Sequence, residues 1–470
     1  MRLTAVVLVQ LCVLQTSVGH SLPNLPTSGS INKIPVQQGS MSCSNCQWPK
    51  SDDGIVYIPY TLASDYLSLQ KTLMAQWLQE ISTLTCVNFL DRTNETDYLD
   101  FQSHGKCWSY IGKVGGAQAI GIDKHYCKPQ YVFQHEVLHA LGFNHEVQRK
   151  DRDKYVEILH HNVMPGLQGL FEVINNYAPA LPYDYNSVMH YEGNSYGQNG
   201  ASTIVPIPDP NVPVGQNVGV SPMDIVKVNA LYQCNLCRKL FNGDSGVISS
   251  ENQPSPYPSN SSCLYLIRIP ANKILLTFQA FDMKGFPHCC SSDYLRVYDG
   301  LTTSSPVLLD KTCGNTLPHP LMSSNRVMLL EFVIGGAVSG AGFQASYTTV
   351  LCGGIYTQNN GTVTSPNYPV FYSRNLNCFY RIIAPQGYKI TLTFDDFFLT
   401  IVPNCDSGSY LKIYDGSDTS APLLTTLCNI LYDTTVVTST GNNMVLKFVT
   451  DDGFSAPGFS STYRFVPVIS

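Results

Sequence analysis

The sequence predicts a multidomain chain, a mixed α+β domain followed by two all-β sandwiches, and three observations carry that reading. At 470 residues the chain exceeds what one hydrophobic core supports, and length alone suggests about three domains. Residues 131–146 set His135, Glu136, His139, Gly142 and His145 at spacings that fit a helix followed by a sharp turn. After Cys237 the texture changes to short alternating runs between Gly, Pro, Asn and Ser, and it does so twice. Cys237, Cys263, Cys290 and Cys313 recur as Cys352, Cys378, Cys405 and Cys428, each 115 residues on. Copies of about 110 residues built from half-buried strands argue sandwiches.

Taken in order, residues 1–19 begin with Arg2, run through an apolar stretch and reach Ser17 and Gly19, which reads as a cleavable secretory signal. Residues 20–42 are Pro, Ser, Gly and Asn-rich without periodicity, so a pro-segment or extended arm is expected there. No later run approaches the ~20 apolar residues of a membrane span, and a secreted, extracellular protein without a membrane anchor is expected. Charged residues are only 13% and the net charge is −6, which argues against nucleic-acid or anionic-membrane partners. Of sixteen cysteines, Cys12 leaves with the signal, and the odd remainder enters a disulfide-forming compartment. Asn94, Asn260 and Asn360 head glycosylation sequons suited to that route.

The first folded domain starts at Cys43-Ser-Asn-Cys46. A strand is expected over Ile55–Tyr60, from its β-branched and aromatic residues. Leu73, Met74, Trp77, Leu78 and Ile81 at helical spacing predict an amphipathic helix over 67–81, and short strands follow near Val87 and Tyr98. Next comes the stretch that carries chemistry. His135 and His139, four apart, project from one helix face, and Glu136 points partly round it. Gly142 can take the positive φ that ends a helix, and the reversal brings His145 back. Three imidazoles leave a fourth zinc position open, as a catalytic site requires. Two histidines on a helix are often ordinary packing residues; the glycine and third histidine remove that reading.

The full pattern H-E-x-x-H-x-x-G-x-x-H, with Tyr185-Asn-Ser-Val-Met189-His-Tyr191 about 50 residues on, resembles the metzincins. The run Gly142-Phe-Asn-His145-Glu146 with Arg149-Lys-Asp151-Arg152-Asp153 resembles the astacin family specifically. The four-cysteine ladder, the Ser-Pro-x-Tyr-Pro turns and the Tyr-Asp-Gly strands, Tyr294–Gly300 and Tyr410–Gly416, resemble CUB domains. The resemblance implies an α+β zincin-type protease domain over 43–236 and two all-β CUB sandwiches over 237–349 and 352–466. It implies one zinc ion held by His135, His139 and His145, with Glu136 as general base and Tyr191 as a further ligand that swings away to stabilise the oxyanion. It also implies Met189 as a hydrophobic floor and Glu146 as a structural anchor that meets a mature amino terminus. The strand over Gly115–Ile120 looks like the edge on which a substrate is laid.

By the same resemblance Cys86 pairs with Cys234, Cys107 with Cys127, Cys237 with Cys263 and Cys352 with Cys378, and Cys405 with Cys428. Cys43–Cys46 resembles the short loop of vertebrate hatching enzymes, although a Cys-x-x-Cys can also be redox-active. Cys289 and Cys290 compete for Cys313. The ladder selects Cys290–Cys313 with Cys289 spare, while a gapless alignment of the repeats sets Cys289 opposite Cys405. Calcium sites of CUB domains need several carboxylates; the first copy offers Lys284, Asp293 and Gly335, the second Thr400, Ser409 and Asp451, so calcium binding is not expected. The pro-segment lacks the Asp by which astacins keep themselves latent. The arrangement most resembles amphibian hatching enzymes, implying egg-envelope or extracellular-matrix protein substrates. A tolloid-like processor of matrix precursors and a catalytically idle CUB binding protein are the alternatives. The repeats are expected to tether the enzyme to its substrate, so that removing 238–470 leaves small-peptide hydrolysis nearly intact.

Overall fold

The computed structural model describes residues 46–468 apart from 105, 128, 175–180, 252, 254–260, 286–289, 291, 336–339 and 406–407. The leader, the arm, Cys43, Asn260 and Cys289 lie outside the described residues, and with them the Cys43–Cys46 pairing and the fate of Cys289.

The first domain is a five-stranded sheet with helices against it. Strands β1 (Val56–Leu62), β2 (Val87–Asp91), β3 (Tyr98–Gln102), β4 (Cys107–Trp108) and β5 (Ala117–Ile122) run in the order β2-β1-β3-β5-β4, all parallel except β4. Helix α1 (Ser68–Leu84) buries Met74, Leu78, Ile81 and Leu84, one stripe at three- and four-residue spacing. Helix α2 (Gln130–Ala140) packs Phe133 against Phe101 of β3 and Trp77 of α1, with ring centroids 5.1 and 5.4 Å apart. Helix α3 (Pro222–Leu231) starts with a Ser221 cap whose hydroxyl accepts from Asp224 N, and Pro222 fills the first turn where no donor is needed.

A helix leaves its last carbonyls without partners, and at the end of α2 three distant segments supply donors. Gly112 N bonds His139 O at 2.8 Å, Trp48 Nε1 bonds Ala140 O at 3.0 Å and the Tyr232 hydroxyl bonds Leu141 O at 2.9 Å. The end of α2 is thereby fixed in space.

Among the described residues six disulfides join Cys86–Cys234, Cys107–Cys127, Cys237–Cys263, Cys290–Cys313, Cys352–Cys378 and Cys405–Cys428. The mixed-sign run after Glu146 is an ion-pair cluster around the buried Arg149, which meets Asp151 at 2.9 Å and Glu146 at 3.0 Å. A cluster of Val147, Val156, Val163, Phe171, Tyr183, Tyr191 and Ile204 forms a second, smaller core beneath it. Asn94 and Asn360 are exposed. No described helix is long and apolar enough to cross a membrane.

The two sandwiches share one topology. In the first, a five-stranded sheet runs Val307–Thr312, Tyr294–Tyr298, Val327–Ile334, Ser261–Arg268, Cys237–Phe241, facing a four-stranded sheet of Leu321–Met322, Lys273–Asp282, Gly342–Val350 and Ser245–Ser249. The second repeats that order, and each encloses its own core. Asp293 is buried and accepts from Gly335 N at 3.1 Å, while Asp451 accepts from Gly453 N at 3.3 Å.

One expectation is narrowed by the sheet order. The strand expected to be a substrate edge, β5, is penultimate: β4 covers its Gly121 and Ile122, leaving only the outer side of 117–120 without a strand partner among the described residues. The first sandwich packs on the first domain: its Leu240, Leu266, Tyr298, Val327 and Leu329 lie in the same apolar cluster as that domain's sheet and helices.

Candidate metal centre

His135 and His139 sit on α2, and Gly142, with φ 108°, ends it. Phe143 N reaches back to Leu138 O at 3.0 Å, and the chain turns so that His145 faces the helix. The three rings converge: His145 Nε2 lies 3.2 Å from His135 Nε2 and 3.2 Å from His139 Nε2. A four-coordinate zinc with Zn–N near 2.0–2.1 Å sets its ligand atoms roughly 3.3 Å apart, so the spacing fits that ion.

The opposite ring nitrogens fix the tautomers. His135 Nδ1 meets Val188 O at 2.8 Å, His139 Nδ1 meets Phe143 O at 2.7 Å and His145 Nδ1 meets Gln148 Oε1 at 3.2 Å. Each carbonyl oxygen can only accept, which places the proton on Nδ1 and the lone pair of Nε2 toward the common centre. Burial holds His135 below its ordinary value, and it takes His139 down to about 3, with the neighbouring His135 adding to the effect; His145 is pushed down by burial as well. All three are neutral ligands near pH 7.

Val188 O, which orients His135, belongs to the loop of Met189. That loop is pinned from α3: Asp224 accepts from Val188 N at 2.9 Å and from the Ser187 hydroxyl at 2.6 Å. Met189 is buried, and its carbonyl accepts from Glu146 N at 2.9 Å. Glu146 is itself 1% exposed; among the described residues it pairs with Arg149 at 3.0 Å and Lys227 of α3 at 2.8 Å and accepts from Asp184 N at 2.9 Å. The described anchor partners are thus two internal cations and one backbone N–H, with Lys227 a residue that sequence spacing does not connect to Glu146.

Glu136 is 6% exposed, and burial alone pushes its carboxyl up to about 8. The Tyr191 hydroxyl lies 3.1 Å from His145 Nδ1, the nitrogen facing away from the other two rings, rather than among the three Nε2 atoms. This differs from the ligand position that the resemblance implies. Burial holds its phenol well above the usual range. Tyr196 stands edge-on to Tyr191 with centroids 5.5 Å apart, and the Glu136 carboxylate is near enough to raise its phenol further. Nothing in the local sequence marks Tyr196; only the fold sets it beside Glu136.

Beside His135 a pocket of about 230 Å³ is lined by Tyr131, Val132, His190, Tyr191, Gln216 and Asn217. His190 is committed to Tyr183, whose hydroxyl is 2.8 Å from its Nε2, and Glu192 brings a carboxylate to the same wall. A larger cavity of about 370 Å³ lies between α1, β1 and the first sandwich, away from this chemistry.

Comparison with known proteins matches residues 42–233 to the Astacin peptidase family and residues 237–347 and 352–463 to the CUB domain. The chain is 43% identical over 419 residues to Embryonic protein UVS.2 of Xenopus laevis, across 89% of this chain and 81% of that protein. It is 43% identical over 314 residues to the Astacin-like metalloendopeptidase of Gallus gallus, across 66% of this chain and 76% of that one. Among solved structures it is similar to High choriolytic enzyme 1, a hatching enzyme zinc-protease from Oryzias latipes, with a TM-score of 0.40 and 38% identity over 42% of this chain and 100% of that chain.

Proposed function

Because this chain belongs to the astacin family of zinc metalloendopeptidases, with two CUB domains behind its peptidase domain, we propose that it is a secreted hatching-type enzyme that hydrolyses egg-envelope or matrix proteins. The observation that carries the chemistry is the convergence of three oriented Nε2 atoms at 3.2 Å beside a buried carboxylate. A zinc ion bound by His135, His139 and His145 supplies Lewis acidity for a carbonyl and for water. Glu136 takes the proton of the attacking water and passes it to the leaving amine, and beside a bound dication it would be held ionised against the effect of burial. Tyr191 donates a hydrogen bond to the oxygen that gains charge, after leaving His145 Nδ1. The open outer side of 117–120 aligns the substrate backbone, and the pocket beside His135 receives one side chain.

The boundaries 43–236, 237–349 and 352–466 divide the chain into peptidase and CUB units, and neither CUB unit is proposed to hold calcium, since each brings a single carboxylate to the place where several are required. The second CUB domain tethers the enzyme to insoluble substrate. What supports the embryonic role is the resemblance in the Cys43–Cys46 motif together with the relative named as an embryonic protein. Casein zymography with and without a zinc chelator tests the peptidase: clearing that the chelator abolishes is expected, and no clearing in either lane would leave a binding protein. Digestion of isolated egg envelopes against a soluble matrix precursor tests the substrate. Cleavage of the precursor alone would favour the tolloid-like reading.

A further inference from the structure

The outer face of the first sandwich is not built for solvent. Along Ser261–Arg268, Tyr265 and Ile267 enter the sandwich's own core, so Leu264, Leu266 and Arg268 point the other way. Leu266, with Val327 and Leu329 of the neighbouring strand, joins the peptidase core. The second sandwich carries Arg381, Asn443 and Val445 at the matching registers, a more polar face.

Arg268 is fully buried in that contact. Its Nη1 pairs with Glu80 of α1, and its Nη2 donates to Val220 O at 2.8 Å. The other Glu80 oxygen accepts from Gln130 Nε2 at 2.9 Å; Arg326, also of the first sandwich, donates to Gln130 Oε1 at 2.8 Å. Gln134 accepts from Val220 N at 2.9 Å and donates to Trp77 O at 3.2 Å. Gly219, with φ 129°, leaves the room: a Cβ there would overlap the Gln134 amide.

Two routes lead from this network to His135. Gln130 and Gln134 lie on α2, with His135 next in the chain. Val220 precedes the Ser221 cap of α3, whose Asp224 holds the loop that presents Val188 O to His135 Nδ1. We infer that Arg268, supplied by the first CUB domain, is a positioning residue of the zinc centre, so that this domain completes the peptidase instead of only tethering it. The inference rests on the zinc-peptidase reading.

The test uses the full-length zinc-loaded protein as wild type, R268M, R268K, the double variant R268M/E80M, and R381M as a control on the second sandwich. The readouts are the thermal midpoint, the rate of zinc release to a chelator, and kcat and KM on a short peptide. In R268M zinc release is expected to quicken about tenfold and kcat to fall by a similar factor while KM changes little. R268K should lie between, because Lys keeps the charge but loses the fork. R268M/E80M should regain the midpoint, since no unpaired carboxylate stays buried, yet keep the fast zinc release. R381M should match wild type throughout. Wild-type zinc release in the double variant would reduce Arg268 to a fastener between domains and overturn the inference, as would unchanged release in R268M. Should R268M fail to fold, R268K and the double variant decide. A wild type that cleaves no peptide refutes the peptidase reading, while the zinc-release comparison still judges this one.

Discussion

Replacing Glu136 by Gln should inactivate the enzyme and, in the metal-free protein, stabilise it. Burial raises the Glu136 carboxyl from 4.5 to about 8, so folding resists its ionisation. A carboxyl whose folded value exceeds its unfolded one lends most stability below the unfolded value and loses it as pH rises toward the folded one. At pH 7 the unfolded chain gains by ionising and the folded one hardly does, a difference of about 3 kcal/mol. The amide of Gln brings its own desolvation, which returns roughly 1 kcal/mol. A net gain of about 2 kcal/mol corresponds to a rise of about 4–8 °C for a domain of this size. Thermal melts of chelator-treated wild type and E136Q between pH 5 and 8 measure it: the gap should widen with pH. With zinc restored the carboxylate ionises beside the cation and the gap should shrink, while turnover of E136Q stays at least about 10²-fold down. A pH-independent gap in the metal-free proteins would refute the burial reasoning, and retained turnover with full zinc content would remove Glu136 from the chemistry.

Tyr191→Phe should lower kcat by roughly 10²-fold, the scale for one oxyanion donor; steady-state kinetics on a peptide checks it, and an effect on KM alone would leave the phenol a packing residue. Gly142→Ala forces a side chain onto φ 108° and should destabilise by about 1–2 kcal/mol, with weaker zinc retention read by chelator challenge. Removing residues 352–470 should spare peptide hydrolysis, because the second sandwich has a separate core, and lower the solubilisation of insoluble envelopes. Removing 238–470 should lower both, since it uncovers the apolar face against Leu266 and leaves Glu80 unpaired.

Much of the site was legible because its signals are local. The four-residue step from His135 to His139 needs only a helix, and Gly142 announces its end; with His145 close behind, the three rings could be named before any fold was known. The repeat was equally plain, as 115-residue periodicity in cysteines needs no tertiary knowledge; five of the pairs implied by resemblance are present, and so is the Cys290–Cys313 pair that the ladder selects. Asp224, Gln134 and Tyr196 left no such trace, because each acts on a residue from another element.

What the sequence by itself determined is therefore the composition of each element: which residues a helix presents together, where it stops, and which strands alternate. Only the tertiary structure decided which distant groups meet. Glu146 faces Lys227, the outer side of β5 lacks a strand partner over four residues among those described, and Arg268 enters the peptidase to reach Glu80, 188 residues away in sequence. The physical reason is that periodicity reports which face of an element is apolar but not what that face will touch. A buried charge such as Arg268 reads, in sequence, like any arginine on a solvent-facing strand.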